Sequence, residues 1–296
     1  MILKLGVGIV TYNRRDLVVS AVQQVIAHTQ HPFALVVADD GSTDATAATL
    51  RDQRVTVVGG PNMGTAWNKN RALFFLAEVL QCDFVILLED DTSPMRDGWE
   101  RAWMIGAGLH GMVHLLPDDL VSDDRVAAAG PIAAAAIRSH CAAYSREALL
   151  FGGYMDSRMA GCGWETVEHA QHLRRAGYGG GVPADRAATT FLALRPDGLR
   201  IRAPASHVAE ADISRNRALA ADPAAVAARA TLPWHDDATM RQFRAEMAAN
   251  APRIAMQTEQ PPEERQPARR LEVIASDVAS GVPSSASRRR KVRAGG

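Results

Sequence analysis

The segment from Phe84 to Asp91 constrains this chain more than any other. Five apolar residues, Phe84, Val85, Ile86, Leu87 and Leu88, run straight into Glu89, Asp90 and Asp91, and Thr92, Ser93 and Pro94 then stop the run. A continuous apolar run bounded by turn residues is the pattern of a strand buried on both faces of a parallel sheet. In open α/β sheets, ligands bind outside the carboxyl ends of the strands. Three neighbouring carboxylates repel one another, and a hard divalent cation is the usual reason to keep them together. The run therefore predicts a buried strand with a metal-capable tip.

Upstream the same unit repeats. Residues 3–10 predict a first strand ending at Thr11, Tyr12 and Asn13. Asp16 is expected to cap a helix running to about residue 28. Residues 33–38 predict a second strand, ending at Asp39 and Asp40, with Thr43 or Asp44 capping the helix that follows. Residues 55–58 predict a third strand. A turn-rich stretch through Asn62 and Gly64 then leads to a helix over residues 65–80. Strands and helices alternating at short spacing imply a doubly wound, mostly parallel sheet with right-handed crossovers. Three of these strands end in polar clusters, so Thr11, Tyr12, Asn13, Asp39, Asp40, Glu89, Asp90 and Asp91 should share one rim. An aromatic there can stack on a base, and a carboxylate can accept from a base N–H. The glycine spacing matches neither the dinucleotide fingerprint nor the phosphate-binding P-loop.

Beyond residue 95 the alternation loosens. Residues 126–129 and 137–144 predict strands, and Ser145 opens a short helix. Residues 165–176 predict a helix closed by Gly177. Residues 191–194 and 199–202 read as two strands around an Arg195–Gly198 turn. Residues 216–230 and 236–250 read as helices, and 252–296 as a disordered tail poor in apolar residues. The expected division is 1–210 for the main domain, with 1–94 as its nucleotide half and 95–210 as its acceptor half. Residues 211–251 are then appended helices, and 252–296 the tail.

Composition excludes several classes. The chain of 296 residues has no net charge, yet Arg288, Arg289, Arg290, Lys291 and Arg293 concentrate five positive charges near its end. Setting those aside leaves 28 basic residues against 33 acidic ones. The body is thus no general polyanion binder, and weak contact with an anionic membrane or nucleic acid falls to the tail. Three widely spaced cysteines, Cys82, Cys141 and Cys162, indicate neither a disulfide framework nor a zinc site, which suits a reducing cytoplasm. No apolar stretch of about 18 residues exists to span a membrane, and the first residues read as a strand and not as a leader.

Taken in order, Val10-Thr11-Tyr12-Asn13-Arg14, Val37 to Asp44, Asn62-Met63-Gly64 and Glu89-Asp90-Asp91 resemble the motifs of glycosyltransferase family 2. The resemblance covers roughly residues 3–210. It implies a GT-A fold and transfer of a sugar from a nucleotide-sugar donor, most often a uridine diphosphate sugar, with Mn2+ or Mg2+. It places Thr11, Tyr12, Asn13, Asp39, Asp40 and Asn62 around the nucleotide, with Tyr12 and Asp40 at the uracil. Lys69 falls where the family usually carries an arginine. Asp91 takes the last place of the family's Asp-x-Asp motif as metal ligand, Asp90 faces the donor sugar or ribose, and Glu89 stands for the commoner first Asp.

Gly161 to Glu168 resembles the family's Gly-x-Glu-Asp segment, in which a carboxylate deprotonates the acceptor hydroxyl. Thr166 occupies the frequent Asp position and cannot act as a base near neutral pH. Glu165 is therefore the candidate base and Glu168 the second. Trp164 would wall the sugar or acceptor pocket. A late histidine, His207, is the candidate third metal ligand, and Ser214 to Arg217 could contact a diphosphate. Inversion at the sugar follows from the resemblance. The alternatives are a nucleotidyltransferase, disfavoured by the absence of glycine over residues 11–16, and a non-catalytic nucleotide-sugar-binding protein.

Overall fold

A computed structural model describes residues 3–117, 130–180, 190–202, 209–229 and 237–248. The chain begins β1 (Leu5–Thr11), α1 (Arg15–His28), β2 (Phe33–Asp39), α2 (Thr46–Asp52), β3 (Thr56–Gly59) and α3 (Thr65–Phe74). A π-helical turn, Phe75–Val79, extends α3 before β4 (Phe84–Glu89) and β5 (Thr92–Pro94). Then come α4 (Glu100–His110), β6 (Met112–Leu115), β7 (Ile132–Ala134), β8 (Arg138–Ser145) and a second π turn, Ala148–Gly152. The remaining elements are α5 (Glu165–Arg175), β9 (Phe191–Leu194), β10 (Leu199–Ile201), α6 (Glu210–Ala221), α7 (Pro223–Ala227) and α8 (Asp237–Ala248).

Eight strands form one mixed, mostly parallel sheet in the order β3-β2-β1-β4-β8-β6-β9-β7. The first four are parallel neighbours, joined by helical crossovers. Strand β8 then enters antiparallel between β4 and β6, and β7 closes the far edge antiparallel to β9. Register sets the rim: Thr11 lies beside Asp39, and Val10 beside Glu89. The polar ends of three strands therefore finish level.

Side chains of β1 alternate between two apolar layers. Leu5, Val7 and Ile9 pack with Val18, Val22 and Val25 of α1 and Trp103 of α4. On the opposite face α3 and its π turn lie unusually close. A Cβ on Gly6 would sit 2.9 Å from Leu76 Cδ2, and one on Gly8 would sit 3.0 Å from the Ala72 Cβ. Those two glycines let α3 press against the strand, which brings Asn68, Lys69 and Arg71 to the rim. The second layer continues through Trp67, Leu73 and Phe75 to Phe243 and Met247 of α8.

Several local expectations change. Asp16 lies within the first turn of α1 and does not cap it; the Arg15 N–H is instead taken by Asp44 Oδ2 at 3.0 Å. The expected helix over 216–230 is two helices, because Pro223 has no N–H to continue the first. Asp222 caps the second, accepting from the Ala224 N–H at 2.9 Å. The two strands around Arg195–Gly198 do not pair with each other. Strand β9 lies inside the large sheet, while β10 pairs antiparallel with β5. The Arg202 N–H reaches the Asp91 carbonyl at 2.8 Å, so this ribbon braces the backbone of the acidic tip. The strand expected at 126–129 and the tail lie outside the described residues. No helix among the described residues is long and apolar enough to cross a membrane.

Candidate active site

The rim is built from β1, β2 and β4, the start of α3, and the loop that leads into α5. Thr11 donates its hydroxyl to Asp90 Oδ2 at 2.8 Å, and Arg14 donates to Asp90 Oδ1 at 3.1 Å. Burial nevertheless pushes the Asp90 carboxyl up to about 6. Asn13 adopts a left-handed φ of 52° and accepts from the Thr43 N–H at 2.7 Å, locking the loops after β1 and β2 together. Asp39 is buried and accepts from the Ser42 hydroxyl and amide; burial raises its carboxyl despite those bonds. Tyr12 is 45% exposed, free to meet a planar ligand, and Asn62 is exposed on the neighbouring loop.

Asp40 faces inward. It accepts from the Met63 N–H at 3.0 Å, the Gly64 N–H at 2.9 Å and Arg71 Nη1 at 2.8 Å. Arg71, fully buried, escaped the sequence reading. Its signal was its place two residues beyond Lys69, half a helical turn around α3.

Lys69 is buried and spends all three ammonium protons. It donates to Glu89 Oε1 at 2.9 Å, Glu165 Oε1 at 3.0 Å and Thr166 Oγ1 at 3.1 Å. Burial alone would lower its pKa, but the two carboxylates hold it above its ordinary value. Burial is the strongest single influence on Glu89 and acts upward, but Lys69, His140 and Ser139 together keep that carboxyl below the usual range.

Glu89, Asp91 and His140 bring three potential ligand atoms within 4.8 Å of one another. Asp91 is 3% exposed, and burial followed by the charge of Glu89 raises its pKa. Its Oδ1 accepts from Thr92, while its Oδ2 has, among the described residues, only longer ion-pair contacts, 3.8 Å to Arg14 and 3.9 Å to His140 Nε2. Two carboxylates and an imidazole form a donor set suited to a divalent cation. Sequence reading missed His140 because it comes from β8, an antiparallel strand whose place beside β4 no local pattern reveals. His207 lies outside the described residues.

The loop Gly161-Cys162-Gly163-Trp164 enters α5 with φ values of 70° at Gly161, 107° at Gly163 and 71° at Trp164. A left-handed tryptophan is costly and is held here from several sides. Arg217 lies over the indole with Cζ 4.3 Å from the ring centroid. Asn216 donates to the carbonyls of Ala160 and Gly163 at 3.2 and 2.8 Å. Arg215, Asn216 and Arg217 thus clamp this loop. Glu165 is 3% exposed, and both its oxygens are engaged, Oε2 by the Gly163 N–H at 2.8 Å. Glu168 lies in a separate buried ion cluster, 2.9 Å from Arg229 Nη2 and 3.6 Å from Arg175.

Residues 6–104 match the family model for Glycosyl transferase family 2. The fold is shared with solved glycosyltransferases at low identity. A mannosyltransferase from Pyrobaculum calidifontis, solved with GDP-Man and Mn2+, superposes with a TM-score of 0.50 at 15% identity, over 95% of this chain and 81% of that one. GalNAc-T7, solved with UDP, GalNAc and Mn2+, gives a TM-score of 0.56 at 14% identity over 94% of this chain. The match takes in 55% of that protein, so this chain spans about half its length. No curated protein matches the sequence. These neighbours make the architecture a GT-A fold.

Proposed function

From a GT-A fold whose first hundred residues match glycosyltransferase family 2, we propose that this protein transfers a sugar from a nucleotide-sugar donor to a hydroxyl acceptor. The donor is read as a uridine diphosphate sugar, and the reaction as a single displacement with inversion. The observation that carries this reading is the Asp91 carboxylate. It is almost wholly buried, with an Oδ2 that among the described residues receives no hydrogen bond and lies near Glu89 and His140. Glu89, Asp91 and His140 would hold Mn2+ or Mg2+, which neutralises charge on a leaving nucleoside diphosphate.

The other roles are assigned to this chain's own groups. Tyr12, Asp39 and Asn62 line the nucleotide side, and Asp40 shapes the loop beside it. Asp90, oriented by Thr11 and Arg14, faces the donor ribose or sugar. Trp164 walls the acceptor side. Glu165 is the base, with Oε2 taking the proton, while Lys69 on Oε1 fixes the orientation of the carboxylate. Glu168 is given to its ion cluster with Arg229. Three free thiols, two of them buried, fit a reducing cytoplasm. The division at residue 210 is retained for function only, since α6 clamps the loop before α5.

A non-catalytic nucleotide-sugar binder is the second reading, and the double engagement of Glu165 favours it. One experiment separates the two. UDP- and GDP-sugars are incubated with Mn2+ and a panel of hydroxyl acceptors, and Mn2+ binding is followed separately by electron paramagnetic resonance. Transfer by the native protein, with Asp91→Asn losing both Mn2+ binding and transfer, supports the enzyme. Donor binding without turnover on any acceptor selects the binder. Full activity in Asp91→Asn refutes the site.

A further inference from the structure

The helix α8 lies far in sequence from the rim, yet it reaches the nucleotide side through one side chain. Glu246 Oε2 accepts from Arg71 Nε at 2.9 Å. The same guanidinium donates through Nη1 to Asp40 at 2.8 Å and through Nη2 to the Pro61 carbonyl at 2.9 Å. Asp40 in turn holds the Met63 and Gly64 amides. Arg71 is fully buried, and the Glu246 side chain is 10% exposed. A planar guanidinium with donors on two edges needs an acceptor on each edge to fix its rotation. Asp40 and Pro61 take one edge, and Glu246 supplies the Nε side.

A second observation points the same way. A Cβ on Gly60 would fall 2.5 Å from Glu246 Oε1 and 2.9 Å from Arg71 Nη2. The backbone after β3 thus lies directly against the Glu246 carboxylate, so that any side chain at residue 60 would have to displace Glu246 or Arg71. Phe243, one turn earlier on α8, anchors the helix. It is fully buried and meets Trp67 edge-on at 6.0 Å and Phe74 edge-on at 5.1 Å.

We infer that Glu246 is a positioning residue for the donor nucleotide, acting through Arg71 and Asp40 on the Gly60–Gly64 loop. The inference rests on the nucleotide reading of that rim. It makes α8 a working part of the donor site, although it lies outside the segment that matches the family. Glu246 touches neither donor nor acceptor. Its contribution is to keep the loop amides and Asp40 in one arrangement before the nucleotide arrives, so that no ordering cost falls on binding.

The test compares the full-length protein with Glu246→Gln and Glu246→Asp. Amide exchange is read at Met63 and Gly64, UDP and GDP affinity by calorimetry, and kcat and KM with a turned-over donor. In Glu246→Gln the two amides should exchange faster. Affinity for the preferred nucleotide should weaken about tenfold, the size of one lost charge-assisted hydrogen bond. The kcat at saturating donor should stay within about twofold, since the reacting groups lie elsewhere. Glu246→Asp, which keeps the charge one methylene short, should recover part of the affinity, and it carries the comparison alone if the Gln variant fails to fold. Unchanged exchange and unchanged affinity overturn the inference. Faster exchange with unchanged affinity also overturns it, leaving α8 a structural brace. If the native protein binds neither UDP nor GDP, the nucleotide reading itself falls and takes this role with it, an outcome told apart because the native protein fails too.

Discussion

The two ends of the central sheet follow different rules. From β3 to β4 all neighbours are parallel: β1, β2 and β3 follow one another through single helices, and α3 then carries the chain back to place β4 on the other side of β1. From β8 to β7, neighbours come from distant parts of the chain, and direction is mixed: β8 and β7 run antiparallel to their neighbours, while β6 and β9 are parallel to each other. The first part presents a level rim of polar strand ends. Later parts of the chain contribute single residues that complete it: His140 from β8, Glu165 from the start of α5, and Glu246 from α8, which packs beside β3. A regular scaffold can place a row of groups by repetition, whereas a group opposite that row must be delivered by long-range packing.

That contrast can be strained at the joints. Lys69 ties the early α3 to Glu89 of β4 and Glu165 of α5. Lys69→Met should cost about 3–5 kcal/mol, because it strands buried carboxylates without their cation. Urea denaturation would report it, and a loss under 1 kcal/mol would mean the two parts are not welded there. Phe243→Ala asks whether α8 belongs to the core. Emptying a fully buried ring site should cost about 3 kcal/mol, seen as a lowered Tm; no change would make α8 a loosely attached appendage.

His140→Ala probes the late contribution to metal binding. It should weaken Mn2+ by at least the roughly 10–100-fold that loss of a supporting partner brings, with stability nearly unchanged. Wild-type Mn2+ affinity in that variant, with His207→Ala impaired, would move the third ligand to His207. Asn68→Ala acts wholly inside the early part. Its amide bridges the carbonyls of Thr11 and Ala38 at 3.2 and 2.9 Å. Leaving them unpaired should cost about 1–3 kcal/mol, read by chemical unfolding. The smallest effect is expected from Asp222→Ala, which removes the cap of the short α7. It should cost about 1 kcal/mol, and a larger loss would show that α7 supports more than its own turn.

Legibility followed the same division. Strands β1, β2, β3 and β4 were readable within a residue or two, because apolar runs closed by turn residues report local structure directly. The acids at their ends were readable for the same reason. The π turn after α3 was not, since a helical pattern does not show where one extra residue enters a turn. The pairing of β10 with β5 was hidden because a good turn between two apolar runs looks like a hairpin. Here β9 is claimed by β6 and β7, leaving β10 to brace the acidic tip.

By itself the sequence determined that Thr11, Asp39, Glu89, Asp90 and Asp91 would share one edge. Parallel strands joined by right-handed crossovers put their carboxyl ends on the same side, so the position of each acid at its strand end decides its place on the rim. Only the tertiary structure decided which way each acid would turn. Asp40 is drawn inward by Arg71 and two amides, Glu89 is held by Lys69, and Asp91 is left facing His140. Those choices depend on cations and imidazoles arriving from α3 and β8. A carboxylate in a poorly hydrated rim goes to whichever partner desolvation leaves within reach.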